Sequence, residues 1–309
     1  MTLNELNEQT ATNVGPSGIE IAYERRGNLT DPVVLLIMGG AAQLVHWPDG
    51  FLAALLRCGL QVIRFDNRDA GRSTHFHDAP KPDVRAALAG DLSSAAYTLS
   101  DMAADTVGLL DALELDAAHV VGLSLGGAIA QTIAIEHPSR ILSLTSMMSS
   151  TGDTTVGQAH PETLKGLFGG PPATTRQAVI DRAVRAFSIV GSPGYPTDPA
   201  AIAERAGLAW DRGHDEIGIA RQAVAFVASG DRTARLQKLD VPALVIHGLS
   251  DTLVDAGGGR ATAAAIPGAK LVLIEGLGHN LPPGLWDRFA DHIAEVVRHG
   301  EALTAPRRP

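Results

Sequence analysis

Ser124, Asp251 and His279 are the residues whose types and spacing point to chemistry. Ser124 lies in Gly122-Leu123-Ser124-Leu125-Gly126-Gly127, with the apolar run Ala118-His119-Val120-Val121 leading in and a small-residue helical pattern leading out. That context reads as a nucleophile elbow, a sharp strand-to-helix turn that lifts the serine hydroxyl clear of the backbone. The turn strains the serine, and glycines two positions before and after it let strand and helix pack closely. A serine hydroxyl is a weak nucleophile near neutral pH, so it needs a base within reach and an acid to hold that base's tautomer. Asp251 follows the apolar run Val241 to Ile246, and His279 follows Lys270 to Ile274, with Gly276 and Gly278 leaving room to present a ring. The order serine, acid, histidine, with acid and base each on a loop after a late strand, is the one such an elbow requires. Asp255 and Asp153 are the alternative acids; Asp251 follows its strand end most directly.

A tetrahedral intermediate also needs backbone N–H donors for its oxyanion. Leu125, immediately after the nucleophile, is one candidate, and Gly40, in the Gly39-Gly40-Ala41-Ala42 loop after the strand Pro32 to Met38, is the other. His75-Phe76-His77-Asp78 has a metal-ligand spacing, but no second His/Asp cluster in the sequence completes it, so it reads as a solvated loop and no metal is expected. No phosphate-binding Gly-x-x-x-x-Gly-Lys is present and no Gly-x-Gly-x-x-Gly opens a helix, so no nucleotide cofactor is expected.

The elements that must position these groups alternate along the chain. Short β-branched runs at Pro32 to Met38, Leu60 to Phe65, Ala118 to Val121, Ile141 to Met147, Val241 to Ile246 and Lys270 to Ile274 are separated by helical patterns such as Ser100 to Leu113 and Leu125 to Glu136. This predicts an α/β fold, a mostly parallel central sheet with helices on both faces. Ile19 to Arg25 alternates and is expected as an antiparallel edge strand, and Trp286, Phe289, Ile293, Val296 and Val297 recur at helical spacing over the sheet. Between about Thr151 and Arg235 the strand signals stop. Gly169-Gly170-Pro171-Pro172 and Ser192-Pro193-Gly194-Tyr195-Pro196 break the chain there, and Arg176 to Phe187 and Ala220 to Ala228 look helical. The expected organisation is a core of residues 1–150 and 236–309 with a helical cap at 151–235 roofing the carboxyl ends of the strands.

Composition fits an ordinary globule: 309 residues, 45% hydrophobic and 19% charged. The longest apolar stretch, Val33 to Ala42, is too short to span a bilayer, so no membrane association is expected. A net charge of −9, from 34 acidic and 25 basic residues, disfavours nucleic acid, and the short tail Arg307-Arg308 is a local basic spot that reads as merely solvated. The polar start Met1 to Thr10 lacks the order of a secretory signal, and the single cysteine, Cys58, suits a reducing compartment as a small buried hydrophobe. Cytoplasmic residence is the expectation, with homo-oligomerisation left open.

At the level of these motifs the chain resembles the α/β-hydrolase superfamily, and within it actinobacterial esterases of the aclacinomycin methylesterase type. The likeness rests on Met38-Gly39-Gly40, His46-Trp47-Pro48-Asp49, the run from Arg64 to Ser73, the elbow, and Val241 to His279. The resemblance implies an α/β-hydrolase fold with an inserted cap. It also implies a serine hydrolase without metal or organic cofactor, in which Ser124, Asp251 and His279 form the triad and Gly40 and Leu125 the oxyanion hole. A small-molecule carboxylic ester is the implied substrate, with methyl esters of polyketide-like or other bulky apolar acids suggested. Leu123, Leu125 and the cap residues Phe168, Phe187, Tyr195, Trp210 and Phe226 are expected to make an apolar pocket, or else the cap aromatics fill the cap's own core. Two positions depart from the superfamily pattern: Met38-Gly39 replaces the common His-Gly, and Asp69 stands where glycine is usual. Asp66 and Arg68 are expected to tie their loop together. A cofactor-free haloperoxidase or perhydrolase, or an acyltransferase, would use the same triad with a different acceptor; a ligand-binding receptor with slow turnover is the reading from another class.

Overall fold

β-branched and leucine-rich runs become strands, and the pleat divides their side chains between two apolar layers. The computed structural model describes residues 7–170 and 173–304, so residues 1–6, Pro171-Pro172 and the Arg307-Arg308 tail fall outside the description. In chain order the strands are β1 (Glu8–Val14), β2 (Ile19–Arg26), β3 (Val33–Ile37), β4 (Gln61–Phe65), β5 (Ala118–Leu123), β6 (Ile141–Met147), β7 (Ala243–Gly248) and β8 (Lys270–Ile274). They form one sheet in the order β1-β2-β4-β3-β5-β6-β7-β8. Pairing is antiparallel in β1/β2 and β2/β4 and parallel elsewhere, so the carboxyl ends from β4 to β8 share one edge.

The helices are α1 (Asp49–Arg57), α2 (Val84–Leu88), α3 (Leu99–Ala112), α4 (Leu125–Glu136), α5 (Pro161–Phe168), α6 (Arg176–Val190), α7 (Pro199–Arg212), α8 (Glu216–Ser229), α9 (Thr233–Leu236), α10 (Ala256–Ala265) and α11 (Trp286–Thr304). On β3, Leu35 and Ile37 face the layer made with α3 and α4, while Val34 and Leu36 face the layer made with α1 and α11. A period of two in the strand thus feeds both cores. α11 lays Phe289, Ile293 and Val297 on the second layer, and its Trp286 ring lies where a Cβ at Gly50 of α1 would be, 1.9 Å from the nearest ring atom. Only glycine lets that aromatic settle on α1.

Ile19–Arg26 is antiparallel, as the alternation suggests, but it is not the edge. β1 covers it and takes the edge, on a segment with only Ala11 and Val14 buried. Its apolar signal is too sparse to read, whereas the Gly15-Pro16-Ser17-Gly18 turn that returns it to β2 is visible in the sequence. Cys58 is half-buried against the second layer, and among the described residues no helix is long and apolar enough to cross a membrane. Between β6 and β7 the described chain carries the five helices α5 to α9 and no strand; we call this stretch the cap.

Candidate active site

At the end of β5 the chain turns directly into α4 through Ser124, whose φ of 54° and ψ of −118° are those of a forced turn rather than of either element. The strain is held by packing. A Cβ at Gly122 would lie 2.0 Å from the Gly126 carbonyl oxygen, and one at Gly126 would lie 2.0 Å from that of Ile37. The Ser124 N–H is held by the Met147 carbonyl at 2.8 Å, which ties the elbow to the neighbouring strand. The loop after β3 flanks the elbow. Gly39 lies against Ser124, a Cβ there falling 3.8 Å from the hydroxyl oxygen, while Gly40 is exposed and faces the Leu125 side chain. As the first residue of α4, Leu125 carries one of the N–H groups that have no partner within a helix.

Asp251 and His279 leave β7 and β8 at the same edge of the sheet. His279 Nδ1 is 2.7 Å from Asp251 Oδ2, and the other carboxylate oxygen accepts the N–H groups of Leu253 and Val254, both at 2.9 Å. Burial pushes the Asp251 carboxyl up. The facing His279, hydrogen bonds from His247 and His279, and the Val254 N–H outweigh that burial and hold it well below the usual carboxylate range. The other two acids are engaged elsewhere: Asp153 closes a local turn on Thr155, and Asp255 is exposed and caps α10 through the Gly257 N–H.

His247, on β7, went unnoticed in the sequence. Its Nε2 reaches the Val254 carbonyl at 2.8 Å and lies 3.5 Å from Asp251 Oδ2, and the ring is wholly buried against Gly259. It props the loop that carries the acid. The available signal was position, a histidine four residues before the acid at a strand end.

A cleft of about 660 Å³ lies between the cap and the loops after β7 and β8, with Phe187, Ile202 and Leu249 among its apolar walls and Asp251 and Asn280 on its floor. Of the aromatic and apolar side chains expected to form one pocket, Phe187 alone lines this cleft. Phe168 is exposed at the end of α5, Trp210 stacks on His214, Phe226 packs on the first core layer beside Arg232, and Leu123 and Tyr195 belong with the second layer. The structure therefore disperses that set. A composition-based list cannot tell which face of a cap helix turns inward.

The loop after β4 carries a second concentration of polar groups. Asp66 accepts from Leu44 N–H and from Arg212 Nη2 at 2.7 Å, Asp69 accepts from Arg221 Nη1 at 2.8 Å and from the Tyr97 hydroxyl at 2.7 Å, and Arg68 pairs with Asp105. Asp66 and Arg68 thus do tie the loop, and Asp66 also ties it to the cap. The loop is solvated at His77 and Asp78, as expected, but His75 is tucked against the cap, where Asp215 approaches it and His77 with potential ligand atoms within 4.8 Å of one another. Both His75 nitrogens already face acceptors, Nδ1 toward Asp215 Oδ2 at 2.9 Å and Nε2 toward the Gly71 carbonyl at 3.1 Å. That arrangement suits a cross-link better than a metal ligand.

Comparison with known proteins gives a consistent picture. Residues 32–283 match the family model for the alpha/beta hydrolase fold. The chain is 32% identical over 303 residues to rhodomycin D methylesterase DnrP of Streptomyces peucetius, covering 91% of this chain and 95% of that protein. Among solved structures, a hydrolase from Pseudomonas aeruginosa PA01 is 27% identical, with a TM-score of 0.66 over 98% of this chain and all of that one. The enol-lactonase from Burkholderia xenovorans LB400, at 24% identity and a TM-score of 0.67 over 95% of this chain and all of that one, shares the fold.

Proposed function

Because the chain belongs to the α/β-hydrolase fold family and is an esterase-type hydrolase, we propose that Ser124, His279 and Asp251 are its nucleophile, base and acid, and that it cleaves methyl esters of bulky, largely apolar acids. The observation that carries the reading is the 2.7 Å contact between His279 Nδ1 and the buried Asp251 carboxylate, on the sheet edge that also bears the strained Ser124 elbow. With Nδ1–H donated to Asp251, the lone pair of His279 lies on Nε2 and can take the Ser124 proton. Ser124 Oγ then attacks the ester carbonyl carbon, and the N–H groups of Leu125 and Gly40 receive the oxyanion. The intermediate collapses as His279 Nε2–H protonates the departing alcohol. A water, deprotonated by His279, attacks the acyl-enzyme, and the acid leaves as Ser124 regains its proton.

The substrate class rests on two supports. The cleft of about 660 Å³, lined by Asp251 but not by Ser124 or His279 among the described residues, is of a size that takes a large organic ligand, and its walls are more apolar than polar. DnrP, which the chain resembles along nearly its whole length, is a methylesterase.

Treating the purified protein with a fluorophosphonate, reading the intact mass, and following methanol release from a panel of methyl esters tests the reading. One adduct that vanishes in Ser124→Ala, with many turnovers on bulky apolar methyl esters, is the expected result. Absence of an adduct, or single-turnover hydrolysis, would remove the esterase mechanism and leave a binding protein. Faster peracid formation from hydrogen peroxide than hydrolysis by water would reassign the acceptor.

A further inference from the structure

Among the described residues, the hydrogen bonds that hold the His279 loop from the cap side come from one short segment, Val190 to Thr197. The His279 N–H donates to the Val190 carbonyl at 2.7 Å, and the Gly194 N–H donates to the Gly276 carbonyl at 2.9 Å. The backbones meet through glycines: a Cβ at Gly278 would lie 2.4 Å from the Gly191 carbonyl oxygen, and one at Gly276 would lie 2.9 Å from Gly194 Cα. Ser192 sits at the centre. Its buried hydroxyl accepts the Gly278 N–H at 2.9 Å and donates to Asn280 Oδ1, while Asn280 Nδ2 donates to Thr197 Oγ1 at 3.2 Å. One hydroxyl therefore engages both residues that flank His279.

We propose that Ser192 is a positioning residue for ester hydrolysis, fixing from the cap the loop that presents the His279 imidazole to Ser124. The proposal rests on the triad reading above. Asp251 fixes the imidazole at Nδ1 and the Val190 carbonyl holds the His279 N–H; the Ser192 hydroxyl adds the side-chain restraint on the residues before and after it, which sets how the ring is presented. The Ser192-Pro193-Gly194-Tyr195-Pro196 run, which in the sequence reads as a mere interruption between helices, is thereby given a use. Pro193 and Pro196 stiffen the segment, and Gly194 permits the close approach.

The test compares wild type, Ser192→Ala, Ser192→Thr and His279→Ala for the rate of fluorophosphonate labelling and for kcat per labelled site and KM on one ester. Ser192→Ala should slow labelling and lower kcat by about 10- to 100-fold, the scale of a small misplacement of a reacting group, with KM within about threefold of wild type. Ser192→Thr, which keeps a hydroxyl, should restore most of both. A role confined to stability would lower the melting temperature and leave kcat per labelled site unchanged, and that result overturns the proposal. So does a loss confined to KM. If Ser192→Ala does not fold, Asn280→Ala removes the acceptor and keeps the bond to Gly278; it should lower kcat by about 3- to 10-fold, and an unchanged kcat again overturns the proposal. Wild-type behaviour in His279→Ala would overturn the triad itself, whereas an inactive His279→Ala beside a fully active Ser192→Ala would remove Ser192 alone.

Discussion

Two sets of buried carboxylates stand at the carboxyl edge of the same sheet, and they are matched with different cations. Asp66, Asp69 and Asp105, on and around the loop after β4, face the guanidinium groups of Arg212, Arg221 and Arg68. Asp251, after β7, faces the imidazoles of His279 and His247 and no guanidinium among the described ion pairs. A guanidinium keeps its charge at any pH a protein meets, and an imidazole changes charge near neutrality. In the first set Asp66–Arg212 and Asp69–Arg221 thus fasten the core to the cap and Asp105–Arg68 fastens the core to itself, each on a cation of fixed charge, and the second suits an acid beside which a proton comes and goes. Burial alone does not distinguish a site from a seam. The chemistry of the partner does.

The sharpest break in this comparison is Asp251→Asn. An amide donates where the carboxylate accepts, so His279 takes the wrong tautomer and kcat should fall by about 10⁴-fold while the protein stays folded at neutral pH. Retention of near wild-type turnover would move the acid to Asp153 or Asp255 and dissolve the contrast. The opposite signature belongs to Arg212→Met. With Arg212 gone, Asp66 and Glu8 lose the cation they share, and a buried carboxylate left without its partner should destabilise the fold by about 3–5 kcal/mol. Denaturant melts read the loss, and kcat per folded molecule should stay within about threefold. A large fall in kcat there would mean that the fastening also tunes the site.

A pH titration of stability sharpens the picture on the fastened side. His46 accepts the Gln43 N–H on Nδ1, and burial, with Arg205 and Arg212 nearby, lowers its pKa from 6.5 to about 4. Below pH 6.5 the unfolded chain takes a proton that the folded ring refuses, so this group removes stability as pH falls from about 6.5 to about 4 and adds no further loss below that. Because the residue is only half-buried by exposure, the expected loss is about 1–3 kcal/mol. His46→Gln should flatten that part of the curve; an unchanged slope would assign the acid sensitivity to other groups.

The proposed reactive set is the one that local sequence patterns can carry, for a physical reason. An elbow, an acid and a base are each fixed by local strand-and-loop context, so Ser124, Asp251 and His279 are visible as motifs. The parallel strands were equally visible, each a short β-branched run with its own turn signals. The fastening was not, because Arg212 and Arg221 reach residues about 150 positions earlier, and no local pattern records such a pairing. Asp69 shows what that costs in reading. Its side chain looks out of place where glycine is usual, at a φ of 62°, until Arg221 and Tyr97 are seen to hold it. β1 failed for lack of apolar residues, and the pocket side chains failed because the inward face of a cap helix is set by tertiary packing.

The smallest expected effect tests whether the fastening is purely ionic. His75 joins Gly71 of the core to Asp215 of the cap, and His77 stacks on it with ring centroids 5.4 Å apart. At this partly exposed rim His75→Gln should lower stability by less than about 1 kcal/mol and leave kcat unchanged. A chelator should alter neither quantity, and added zinc should not raise the melting temperature, because each nitrogen of His75 already has a hydrogen-bond acceptor. A zinc-dependent rise that disappears in His77→Ala would mean the ring can turn to offer a lone pair alongside His77 and Asp215. The fastening would then have a metal-gated edge, and the division between permanent charge on one side and exchangeable charge on the other would fail at that rim.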